Sequence, residues 1–225
     1  MITQFNKFTE SPNSLSQDDI KHTIQEYSGS FERRMLCFES EWQNNLYKKR
    51  SVEPFIRNID TLTREPIFVG YKYFESGDQL KFYLKWPDGE VWDNPQMWDN
   101  TVTYVCCHGV PAGLMLPLGL VSHEDLIDIF KDYGSDISSV LYFSSCSLFQ
   151  VDSFGWELLE ASKCRGIFGF NQDIGCTAGL ILDLIFLSSF YLFKEGDPFN
   201  NLEEIYKIVL ESFPPAKELG FTLYS

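Results

Sequence analysis

The sequence predicts a three-layer α/β/α sandwich around a mostly parallel sheet of about five to six strands. Three observations carry this expectation. Short apolar runs of strand length alternate with stretches of helix length along most of the chain. The runs at 101–107 and 140–145 flank one helix-sized segment, the length of a right-handed crossover between parallel neighbours. With 225 residues, 44% hydrophobic and 16% aromatic, the chain is long and apolar enough for one full core.

Residues 1–30 are polar and are expected to form a peripheral segment. In it Ser16 caps a short helix with Ile20, Ile24 and Tyr27 on one face. Residues 31–225 are expected to form a single α/β domain. The continuous apolar run 35–38 reads as a strand buried on both sides. Ser51 caps a helix with Pro54 in its first turn and Val52, Phe55, Ile56, Ile59 and Leu62 inward. Residues 66–74 read as the second strand. Asp78 starts a helix running through Trp86, which Pro87 and Gly89 stop, and 90–100 reads as a loop.

The third strand, 101–107, leads into a Gly/Pro loop at 109–121. A helix follows over 122–133, capped by Ser122, with Leu126, Ile127 and Phe130 as its stripe and Gly134 at its exit. The fourth strand is 140–145. Residues 148–162 form a helix carrying Phe154, Trp156, Leu158 and Leu159, and 166–170 is the fifth strand. Thr177 caps a long apolar helix to Phe193. Asn201 starts the last helix, which ends before Pro214 and Pro215. The chain holds no repeat and no low-complexity segment.

Composition removes several classes of function. A formal charge of −14 argues against nucleic acid and anionic membrane surfaces, and favours neutral or cationic partners. Lys48, Lys49 and Arg50 make the one basic cluster, read as a solvated turn. None of the six cysteines stands in a CxxC pair, and the adjacent Cys106 and Cys107 point to opposite faces of a strand. Neither a zinc site nor a disulfide framework is expected, and no cofactor. The N-terminus lacks the apolar core of a signal peptide. The longest apolar stretch, 178–193, contains Asp183 and falls short of the ~20 residues of a membrane span. A reducing cytoplasm is the expected compartment. Neither GxGxxG nor GxxxxGK[ST] occurs, and there is no G-x-S-x-G elbow. The oligomeric state is not legible.

Chemistry in such a sheet gathers at the carboxyl ends of the strands. His108-Gly109 closes the third strand and Cys146 the fourth, so an imidazole and a thiol reach one sheet edge. A histidine can generate a thiolate or shuttle its proton, which is what a cysteine nucleophile requires. Gly109 lets a substrate backbone come close. Its N–H and that of Cys146 are candidates for an oxyanion hole. His22 and His123 are poorer bases, one on the peripheral helix and one in the first turn of the crossover helix. Cys37, Cys106, Cys107, Cys164 and Cys176 read as core or near-core thiols.

Apolar strand, His-Gly, crossover helix, apolar strand, Ser-Cys: over residues 34–193 this layout resembles the caspase-like (clan CD) cysteine peptidases, which include caspases, metacaspases, gingipains, separase and CHAT domains. Within that group the chain looks like a small CHAT-like bacterial member. The resemblance implies a caspase-like sheet and a cysteine endopeptidase acting on a protein or peptide. His108 would be the general acid/base, Cys146 the nucleophile, and the Gly109 and Cys146 N–H groups the oxyanion hole. In separase and CHAT proteins an Asp after the last of these strands reads a basic P1 residue, and Asp173 stands at about that place. The segment departs from the CHAT pattern, and a loop carboxylate capping the next helix is an equal reading of Asp173. Glu39 and Glu41 follow the first strand, beside the histidine strand. Either one orients His108 or adds negative charge to the substrate pocket, or stands in solvent. Bacterial defence or programmed death is the context the resemblance implies. The alternative is a non-catalytic interaction module on the same fold.

Overall fold

A computed structural model describes residues 33–41, 51–59, 67–85, 100–131, 133 and 139–225. The expected helix at 16–27 lies outside these residues. So do His22, the basic cluster at 48–50, Leu62, the stop at 87–89 and Gly134. The first strand, β1 (Arg34–Glu39), is buried along its whole length. Its side chains alternate between two cores, as a period of two requires. Met35 and Cys37 join one cluster, while Leu36 and Phe38 join the other on the opposite face. Helix-covered faces on both sides explain why the run is continuously apolar.

Five parallel strands form the sheet. They are β1, β2 (Phe68–Tyr73), β3 (Thr101–Cys106) and, numbered past three short strands below, β7 (Ser139–Ser144) and β8 (Gly166–Phe170). A sixth, β9 (Phe221–Tyr224), adds antiparallel to β8, giving the order β2-β1-β3-β7-β8-β9. The chain thus steps outward from β1 to β2, then crosses to the other side of β1 for β3. A crevice opens at the carboxyl ends where a strand order reverses in this way.

The helices are α1 (Glu53–Ile56), α2 (Gly77–Lys85), α3 (His123–Phe130), α4 (Asp152–Ser162), α5 (Cys176–Tyr191), α6 (Leu202–Ser212) and α7 (Pro215–Glu218). Ser122 caps α3 through a full capping box with Asp125. Helix α1 is shorter than its pattern suggests, yet Val52, Ile56 and Ile59 are buried as expected.

Four expectations are corrected. The Gly/Pro loop is a small antiparallel sheet of β4 (His108–Val110), β5 (Gly113–Leu116) and β6 (Gly119–Ser122). Its turn residues obscured a short alternation in which Leu114, Leu116 and Val121 are buried and Met115 and Leu120 exposed. Gly113 has φ +144°, and a Cβ there would lie 2.0 Å from the Val121 carbonyl oxygen. The helix expected from 148 begins only at Asp152, because the turn before it carries Leu148 and Phe149 into the core. Gly175, not Thr177, precedes α5 as its N-cap, with no side-chain cap. Strand β9 escapes the sequence reading because four residues carry too little pattern to separate strand from loop.

Candidate active site

Strands β3 and β7 pair in register, Cys106 opposite Ser144. His108 and Cys146 each lie two residues beyond that last pair, so one edge delivers both. Cys107 is a bend, and His108 then opens β4 as an exposed residue opposite Met115. Gly109 is buried against the cysteine loop. A Cβ at 109 would fall 2.1 Å from the Cys146 carbonyl oxygen and 2.9 Å from its nitrogen. Only glycine permits that approach.

Past Ser144 the chain turns sharply. Ser147 adopts φ 51°, a left-handed conformation that costs energy in a non-glycine residue and must be held by its surroundings. The hold is visible: Ser147 N–H donates to the Gln172 carbonyl at 3.0 Å, and its hydroxyl donates to Asp173 at 2.6 Å. Phe149 N–H donates to the Phe170 carbonyl at 3.0 Å. The loop after β8 is thereby tied to the cysteine loop, and Asp173 serves as one of the ties. Among the described contacts Asp173 does not cap α5.

Cys146 is half-buried, and its thiol donates to the Ile174 carbonyl at 3.3 Å. Burial is the main cause that pushes the thiol above its ordinary value, and the nearby Asp173 adds to it. Cys146 therefore rests as a neutral thiol, and a neutral thiol needs a base before it can attack.

These residues line one cleft of about 340 Å³. His108, Cys146 and Asp173 belong to it, together with Cys176, Ser144 and Asp183. Cys176 is a correction: expected near the core, it is exposed at the first turn of α5. Cys37, Cys106, Cys107 and Cys164 are buried as expected. Among the described residues no group of His, Cys, Asp and Glu is arranged to hold a metal ion.

Asp183 is the site residue that sequence reasoning passed over as a mere interruption of an apolar helix. It is 1% exposed, and three hydroxyls converge on it. Tyr104 and Ser144 donate to Oδ2 at 2.7 and 2.8 Å, and Tyr142 donates to Oδ1. Burial pushes its carboxyl up to about 6, against the pull of the three hydroxyls. The signal was available, since an acid inside an apolar helix is costly unless something uses it.

Glu39 stands apart from this cleft. It is buried at the end of β1, accepting from Val52 N–H at 2.9 Å, Ser51 Oγ at 2.6 Å and Tyr71 Oη at 2.6 Å. The carboxylate fastens the start of α1 to β1 and β2. His123 is also elsewhere: its ring stacks on Phe154 at 3.8 Å, and Nε2 lies 3.2 Å from the Leu148 carbonyl oxygen.

A six-stranded, mostly parallel sheet flanked by helices is consistent with a caspase-like fold. Comparison with solved structures agrees. The chain is similar to the crystal structure of caspase-1 from Spodoptera frugiperda, with a TM-score of 0.52 and 12% identity over 86% of each chain. At that identity the likeness establishes the fold. No protein-family model and no curated protein sequence matches the chain. Among the described residues no helix is long and apolar enough to cross a membrane.

Proposed function

We propose that this protein is a cysteine endopeptidase that cleaves a protein substrate with a Cys146/His108 dyad. The observation that carries the reading is the register of β3 and β7. It sets both residues two positions beyond one strand pair and into one cleft, with Gly109 packed on the Cys146 peptide.

Substrate backbone enters along the edge formed by Gly109 and the cysteine loop. The Cys146 thiol passes its proton to His108 as sulfur attacks the scissile carbonyl carbon. The carbonyl oxygen, now negative, receives the N–H groups of Gly109 and Cys146. As the tetrahedral centre collapses, the C–N bond breaks and His108 returns the proton to the departing amine. A thioester to Cys146 remains. Water, deprotonated by His108, then attacks it, releasing the acid and restoring the thiol. The strained Ser147 and its bond to Asp173 keep the nucleophile loop in place through both steps. Asp173 also adds negative charge to the cleft, which suits a basic substrate residue.

The test is digestion of a proteome-derived peptide library, with termini read by mass spectrometry. New termini that disappear in both Cys146→Ala and His108→Ala are expected. Termini that persist in Cys146→Ala, or none with the wild-type protein, would overturn the reading.

A further inference from the structure

The outer face of the small sheet carries an apolar row that starts at the histidine. Met115 is the cross-strand partner of both His108 and Leu120. Directly opposed residues of an antiparallel pair share one face, with Cβ atoms about 4.5–5.5 Å apart. The next row, Gly109, Leu114 and Val121, faces the other way and is buried throughout. In the first row His108 is exposed, and Met115 and Leu120 are 41% and 45% exposed. Leu118, in the turn between β5 and β6, is 72% exposed.

Single exposed apolar side chains are ordinary on a protein surface, and a contiguous group is not. Among the described residues nine large apolar side chains are exposed, and three of them fall within residues 115–120. Core contacts do not explain them, because Leu114, Leu116 and Val121 supply those from the opposite face. A strand face turned only to water would carry polar residues instead.

The chemistry at His108 decides what passes over this row, and here the inference rests on the peptidase reading. An imidazole that returns a proton to the departing amine comes within about 3.2 Å of that nitrogen. The first residue of the departing fragment, P1′, has its Cα one bond of about 1.46 Å further on. That Cα therefore lies within about 4.7 Å of the imidazole. Strand β4 is the edge of the small sheet, so a fragment passing from Cys146 across His108 continues over β5 and β6. Met115 is the first side chain it meets on that face, and Leu120 the next, one strand spacing of about 4.8 Å beyond.

We propose that the Met115/Leu120 row is a substrate subsite for the C-terminal side of the scissile bond, selecting a large apolar residue at P1′. Methionine is unbranched and adaptable, which suits leucine, isoleucine and phenylalanine alike rather than one shape. A charged or very small P1′ residue would leave the row in water. The fragment that carries P1′ departs with the amine, so the selection acts on formation of the thioester and not on its hydrolysis.

Two measurements test this together. In digests of the proteome-derived peptide library, the residue at each new N-terminus is P1′ itself. Leucine, isoleucine, methionine and phenylalanine should be enriched there at least about tenfold over aspartate, glutamate and glycine, as partial burial of one apolar side chain allows. The enrichment should vanish in Met115→Ser, weaken in Leu120→Ser and persist in Met115→Leu. It should also persist in Leu192→Ser, whose exposed side chain lies at the far end of α5 from the cleft. A flat P1′ profile in the wild type, or a profile unmoved by Met115→Ser, would overturn the proposal.

The second measurement needs no turnover. Met115 is one of four methionines, and its ε-methyl NMR signal is assigned by its loss in Met115→Leu. Leucyl-alanine amide, a departing fragment, should shift that signal, and aspartyl-alanine amide at the same concentration should not. A shift without cleavage of any peptide would sustain the apolar subsite and refute the peptidase. Cleavage with a flat P1′ profile and no shift would refute the subsite and sustain the peptidase. Neither shift nor cleavage would refute both.

Discussion

Gly109 and Cys146 meet main chain to main chain, so closely that a Cβ at 109 would overlap the Cys146 carbonyl oxygen. The contact involves backbone on both sides, so neither partner can yield by a rotamer change. Gly109→Ala is therefore expected to push the cysteine loop from its place. Because a displacement of about 1 Å at a reacting centre can cost on the order of 100-fold, peptide cleavage should fall by at least that factor. Stability should fall by about 1–3 kcal/mol, as for other overpacking changes. Cleavage assays and urea unfolding check the two numbers. An alanine variant with wild-type cleavage would show that the contact does not set the site.

In the proposed mechanism His108 takes the proton of a thiol that burial pushes above its ordinary value. On that reading, replacing it would remove the proton carrier. His108→Ala is expected to reduce cleavage by about 10² to 10⁴-fold, the usual range for a general base. Its unfolding midpoint should stay near that of the wild type, since the side chain is exposed.

Asp183 predicts an unusual pH dependence. Its carboxyl rises from an ordinary 3.8 to about 6 in the folded protein, so the folded state binds its proton more tightly than the unfolded chain does. The associated stability is fully present below pH 4 and is lost as pH rises through about 6. The loss is about 3 kcal/mol by linkage. Tyr104, Tyr142, Cys106 and Cys37, which surround this site, are all pushed upward and stay neutral across that window. The wild type minus Asp183→Asn difference in unfolding free energy should therefore move by about that amount between pH 4 and pH 7.5, the variant gaining at neutral pH. A difference independent of pH would contradict this.

Glu39 is expected to act through structure. Glu39→Gln weakens the bonds that hold Ser51, Val52 and Tyr71 and leaves at least one buried group poorly matched. A loss of about 2–3 kcal/mol is expected in urea unfolding. Relative rates among P1 residues should not change.

How much of this was legible beforehand follows from pattern length. The parallel strands are runs of five or six residues with clear composition, and the crossover between 107 and 140 placed two of them side by side. That sufficed to bring His108 and Cys146 to one edge. Element starts were less readable because they turn on local choices, such as Gly175 rather than Thr177 ahead of α5. The small sheet around Gly113 was hidden by its own turn residues. Asp183 was hidden for a different reason. Its partners Tyr104, Tyr142 and Ser144 are 39 to 79 residues away in sequence, so no local spacing could announce them. Cys176 shows the converse, an apolar-looking residue that the helix start leaves at the surface.

The most direct test of the central claim is the position and His108 dependence of covalent capture. The protein is treated with one lysine-P1 peptidyl acyloxymethyl ketone, and the adduct is mapped by mass spectrometry. A single adduct on Cys146, formed at least about 100-fold more slowly in His108→Ala, is the expected result. Adduct on the exposed Cys176 instead, or a Cys146 rate unchanged by His108→Ala, would contradict a dyad at this edge.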